Sequence, residues 1–202
     1  MTQIRTGYSD KDKRQLICRR LFYLLLFGVM IGAVLWLRAP EIAASAVMQQ
    51  GFDEPIGERS LLAVFWGSFS ATAVLLLVSF LLGFFAVGQP FALSVLLLRG
   101  AALGCAVGST YSMYGIRGLP MVLFLQLPHA AVTSLLLILA VRETLTLSTQ
   151  FFRFAVCDCE RDGVRDGCRY YLLRYLVLFV GLLLSAAADT ALTYFLTAVI
   201  LP

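Results

Sequence analysis

Histidine occurs once in this chain, at His129, and charged residues make up only 14% of it. The first scarcity removes whole classes of chemistry. A zinc protease of the His-Glu-x-x-His type needs two histidines on one helix face, and one histidine cannot supply them. A serine hydrolase elbow reads Gly-x-Ser-x-Gly, and Gly67-Ser68-Phe69-Ser70-Ala71 does not fit it. No glycine-rich phosphate loop is present either. The second scarcity removes the ordinary soluble domain, in which roughly 25% of residues are charged. Ser60 to Ala86 contains no Asp, Glu, Lys or Arg, and Tyr175 to Pro202 contains only Asp189. A membrane-crossing helix needs about 20 apolar residues. Runs of this length, repeated along 202 residues that are 60% hydrophobic, predict an all-α polytopic membrane protein.

Five spans are expected. Residues 1–20 form a basic tail carrying Arg5, Lys11, Lys13, Arg14, Arg19 and Arg20, and Leu21 to Leu37 is a first span. A basic start followed by an apolar run and Ala44-Ser45-Ala46 has the outline of a signal peptide. Arg38, Pro40 and Glu41 separate the run from the small residues, so a retained span is the better reading. The second span covers 60–86 and stops at Val87-Gly88-Gln89-Pro90, a turn signal. Phe91 to Leu98 is apolar but short. A helix continuing through Arg99 puts a guanidinium in the bilayer at a cost of at least ~2.5 kcal/mol. The expectation is therefore an interfacial or re-entrant segment with Arg99 snorkelling to headgroups, followed by a third span over 100–114. The fourth and fifth spans are expected at 119–141 and 175–195, with a polar loop over 142–174 between them.

Orientation follows from Lys and Arg, which resist translocation. With the N-terminus inside, thirteen basic residues fall on the cytoplasmic side, and Arg38, Arg59 and Arg117 on the other. The C-terminus is then outside. The net charge of +4 reflects this asymmetry and gives no reason to expect a nucleic-acid partner. Cys18, Cys157, Cys159 and Cys168 fall on the reducing side and Cys105 in a span. The Cys157-Asp158-Cys159 group matches no standard zinc spacing, so free thiols, no metal and no cofactor are expected.

The remaining candidates lie inside the membrane. Gly100, Gly104 and Gly108 are spaced by four and share one helix face, and Gly28 and Gly32 repeat the spacing in the first span. Small residues in this pattern let helices approach closely, within one chain or in a homo-oligomer. Pro128 is expected to kink the fourth span by freeing the carbonyl near Phe124. His129 beside it is either a functional intramembrane imidazole or a neutral ring satisfying that carbonyl. Asp189 shares a face with Ser185 and Thr193, with Arg117 as its expected partner.

The stretch Leu97-Leu98-Arg99-Gly100-Ala101-Ala102-Leu103-Gly104, the Leu127-Pro128-His129 kink, the Leu172-Leu173-Arg174-Tyr175 entry and the Ala187-Ala188-Asp189 exit resemble the stage II sporulation protein M family. The agreement runs over roughly Ser60 to Val199. Members often carry glutamate where this chain has Asp189, and the cysteine-bearing segment 157–168 is a further departure. The resemblance implies a non-catalytic membrane scaffold. Such a scaffold recruits two peptidoglycan-degrading enzymes, stage II sporulation proteins P and D, to the septal and engulfing membrane during endospore formation. A small-solute transporter using His129 and Asp189 is the alternative.

Overall fold

The computed structural model describes residues 3–39, 61–85, 87–115, 127–157 and 161–200. They form five helices and, among the described residues, no strand: α1 (Gln3–Arg38), α2 (Leu61–Leu82), α3 (Gly88–Tyr114), α4 (Leu127–Cys157) and α5 (Arg161–Ile200). Each carries a stretch long and apolar enough to cross a membrane. The chain is a multi-pass membrane protein.

The helices pair out of sequence order. α1 packs most extensively on α3, and α2 on α5. α4 stands between the two pairs and touches all four other helices. Its opposite faces serve two cores. Leu137, Ile138 and Val141 meet Leu21 and Leu25 of α1 and Ala92, Val95 and Leu96 of α3. Ala140 and Leu147 meet Leu76 of α2 and Tyr171, Tyr175 and Leu178 of α5. Lipid tails are as apolar as leucine, so these cores gain little from leaving the bilayer and depend on close packing and on hydrogen bonds.

Close packing reaches its limit between α1 and α3. A Cβ built on Gly28 would stand 2.7 Å from the Leu97 carbonyl oxygen and 3.1 Å from the Gly100 Cα. One on Gly32 would strike the Ala101 carbonyl, one on Gly100 the Leu25 carbonyl, and one on Gly104 the Val29 carbonyl. At Gly108 the obstacle is the Trp36 ring, 3.0 Å away. The two backbones therefore touch along the whole seam. The buried Cys105 thiol donates across it to the Gly32 carbonyl at 3.3 Å, and Trp36 Nε1 donates to Ser112 Oγ at 3.2 Å.

α2 turns into α3 within a few residues. The N–H groups of Gly83, Phe84 and Phe85 donate to the carbonyls of Phe80, Leu81 and Leu82. Pro90 sits in the first turn of α3, where a missing N–H leaves no helical bond unmade. At the far end of α3, Gly115 takes a φ of 56° and its N–H caps the Tyr111 carbonyl. From Gly88 to Tyr114 the helix is continuous, which corrects the expectation of an interfacial or re-entrant segment. Ala92, Val95 and Leu96 are buried against α1 and α4, so packing holds Phe91 to Leu98 upright in the bundle instead of along the surface.

Residues 142–174 also depart from the expected polar loop. α4 continues to Cys157 and α5 begins at Arg161. At 1.5 Å per residue, the 40 residues of α5 extend about 60 Å, twice the ~30 Å hydrocarbon core. Charges end a membrane span without ending a helix. Where these helices leave the apolar zone they are tied together: Arg142 reaches the Cys18 thiol of α1 at 3.9 Å, and Glu143 pairs with both Arg142 (3.6 Å) and Arg174.

Candidate functional site

Two layers of polar side chains cross the interior, both centred on α4. The first is made of hydroxyls. Thr144 Oγ1 lies 2.6 Å from Tyr175 Oη and 3.0 Å from the carbonyls of Ser79 and Ala140. Tyr175 Oη also reaches the Ala140 carbonyl at 3.0 Å, and Tyr171 donates to the Phe80 carbonyl at 2.9 Å. α2, α4 and α5 are thus joined through backbone carbonyls that side-chain hydroxyls can reach. Tyr171 stacks on Phe80, and Tyr175 meets the same ring edge-on. The arrangement is apolar at its rim and hydrogen-bonded at its centre. Nearer the α2–α3 turn, Ser148 donates to the Phe85 carbonyl at 2.8 Å and Gln89 to Thr149 at 3.0 Å.

The second layer gathers three of the four polar residues singled out in the sequence. Arg99, on α3, is 5% exposed and donates from Nη2 to Thr133 Oγ1 on α4 at 2.8 Å. Thr133 passes its own proton to the His129 carbonyl at 2.9 Å, one turn away. The His129 ring then faces α5, with Nδ1 3.9 Å from Asp189 Oδ2. Arg99 therefore does not snorkel, contrary to expectation. The cover of α4 keeps its charge away from lipid, and Thr133 gives it a partner inside the bundle. Intramembrane charges survive in this way, facing the interior and bonded there. Arg99 Nε and His129 Nδ1 are buried without a hydrogen-bond partner. At 3.9 Å the His129–Asp189 contact is electrostatic, too long for a direct hydrogen bond.

Pro128 occupies the first turn of the described α4, and Phe124, whose carbonyl entered the expected kink, lies outside the described residues. So does Arg117, the expected partner of Asp189. Gly28, Gly32, Gly100, Gly104 and Gly108 all lie in the seam between α1 and α3, remote from both polar layers in their chemistry. Among the cysteines, Cys159 lies outside the described residues, while Cys18, Cys105 and Cys168 are free thiols. Among the described residues no group of three His, Cys, Asp or Glu side chains could hold a metal.

Thr133, Thr144 and Tyr171 are not singled out in the sequence, and Tyr175 enters there only as the end of the Leu172–Tyr175 motif and the start of the last apolar run. A usable signal was there: Tyr171 and Tyr175 are four apart and so share a helix face, next to an apolar run where an unpaired hydroxyl is costly.

The Arg99–His129–Asp189 layer ties α3, α4 and α5 together. The pairing is open to a double-mutant cycle. Asp189→Asn and His129→Gln are each expected to lower thermal stability in detergent, and together by less than the sum of the two. Strict additivity would show that the two side chains do not interact.

Residues 21–191 match the sequence profile of stage II sporulation protein M. Neither a curated protein nor a solved structure matches the chain. The profile takes in every residue of both polar layers and all five seam glycines, with one end in α1 and the other in α5. The chain belongs to the stage II sporulation protein M family, a family of membrane proteins linked to sporulation.

Proposed function

We propose that this protein is a non-catalytic scaffold that recruits peptidoglycan-degrading enzymes, stage II sporulation proteins P and D, to the septal and engulfing membrane during endospore formation. The family match over residues 21–191 carries this reading. The polar layers are consistent with it, because their side chains are spent on helix-to-helix contacts. In this reading the basic N-terminus faces the cytoplasm and the C-terminus lies outside. Segment 39–59, with Asp53, Glu54 and Glu58, then faces the cell wall and is the natural docking element for a basic partner.

The test is deletion in a sporulating host. Engulfment should stop and the two partner enzymes should lose their septal position, while the purified protein releases no fragments from peptidoglycan. Normal engulfment in the deletion strain removes the sporulation role, and muropeptide release by the isolated chain removes the scaffold reading. The Arg99–His129–Asp189 layer favours one rival, a small-solute transporter. Ligand-dependent flux in liposomes that is abolished by His129→Gln would establish that rival in its place.

A further inference from the structure

At the level where the helices leave the apolar zone, a cavity of about 220 Å³ opens between α4 and α5, lined by Glu143, Thr146, Gln150, Tyr170 and Arg174, with Leu147 beside them. We propose that this cavity binds the phosphate headgroup of an anionic phospholipid.

Its height is set by the chain itself. Arg174 is the last charge before the apolar run that begins at Tyr175, Arg142 and Glu143 break the apolar run of α4, and Cys18, in contact with Arg142, directly precedes Arg19 and Arg20. The three helices therefore pass from hydrocarbon to headgroups at one level, and the cavity lies there.

Among the described side chains at this level the charge is positive. Glu143 is the only acid among the described side chains at this end, and it is already shared between Arg142 and Arg174. One positive charge is left over in that cluster. The Arg174 side chain is 49% exposed, and its planar fork has donors beyond those that Glu143 uses. A guanidinium of this kind suits a phosphate monoanion. Tyr170, exposed beside it, puts a phenol hydroxyl at the depth where amphipathic rings collect.

A lipid also needs somewhere to lay its chains. Leu173 and Val177 follow Tyr170 on α5 at helical spacing, and both are exposed. They form an apolar track leading from the cavity into the bilayer. A soluble phosphate ester has no use for that track, so the geometry favours a lipid over a free anion. A choline lipid has no net charge to answer the spare arginine.

The experiment is native mass spectrometry of the intact, delipidated protein in detergent, titrated with phosphatidylglycerol or phosphatidylcholine. The wild type should retain one phosphatidylglycerol at least tenfold more readily than phosphatidylcholine. Arg174→Gln should abolish that preference, and Arg20→Gln, which changes a basic residue outside the cavity, should leave it intact. Arg174→Gln leaves Glu143 paired with Arg142. Tyr170→Ala, at an exposed position, is a second variant that should weaken retention with no demand on the fold. Equal retention of the two lipids, equal retention by the wild type and Arg174→Gln, or displacement of the lipid by an equimolar amount of free glycerol 3-phosphate would each overturn the proposal.

Discussion

Gly104→Leu is expected to deplete the folded protein from the membrane and to lower its thermal stability in detergent more than any other single change considered. The reason is the kind of atom the new side chain meets. Its first carbon would strike the Val29 carbonyl and stand 2.8 Å from the Ala33 nitrogen. Both are backbone atoms of α1 and cannot swing aside. Overpacking of an ordinary core costs about 1–3 kcal/mol because neighbouring side chains yield. Here α1 as a whole has to move, which also opens the contacts at Gly28, Gly32 and Gly100. Gly104→Ala should show a reduced version of the same loss. Gly181→Ala provides the control, since its Cβ would meet only a Leu136 methyl at 3.2 Å, the free end of a side chain. Equal abundance of Gly104→Leu and Gly181→Ala would mean that α1 and α3 do not pack as closely as described.

The second large effect is expected at Thr144. Thr144→Val keeps the shape and removes the hydroxyl shared by Tyr175 and the carbonyls of Ser79 and Ala140. Tyr175 retains the Ala140 carbonyl, whereas between helices the Ser79 carbonyl keeps only a longer contact with Tyr171 at 3.5 Å. Loss of a buried hydrogen bond of this kind costs about 0.5–1.5 kcal/mol. Thr144→Ser, which restores the hydroxyl and gives up only a methyl, should recover most of the stability. If Val and Ser behave alike in a thermal-unfolding assay, the methyl matters at this site and the hydroxyl does not.

The sequence made some of this legible and hid the rest for identifiable reasons. The spans could be read because a charge-free run of more than twenty residues has few fates other than a bilayer. Residues 142–174 read as a loop in the sequence because charge bars a segment from lipid, but charge does not bar a helix, and α4 and α5 run on through most of it. The position of Arg99 is hidden from the sequence because its charge meets Thr133 and the body of α4 instead of hydrocarbon. That partner lies 34 residues downstream, and no local pattern announces it. His129 and Asp189 were each visible as isolated intramembrane polar residues, yet their meeting depends on how α4 and α5 are rotated, which composition does not encode. The glycine spacing, by contrast, is a local property of each helix, and both halves of the seam could be seen without knowing that they would meet.

The out-of-order pairing of the helices has a consequence for biosynthesis. α1 leaves the ribosome first, but the surface that fits it belongs to α3. α2 must likewise wait for α4 and α5. From the end of α1 at Arg38 to the end of α3 at Tyr114, synthesis at 5–20 residues per second takes roughly 4–15 s. For that interval α1 has no partner, α2 joins it only once Leu82 has been made, and the backbone strip at Gly28 and Gly32 stays open to any small-residue helix nearby. The interval before α3 arrives is when a small-residue helix of a neighbouring chain could take its place against α1.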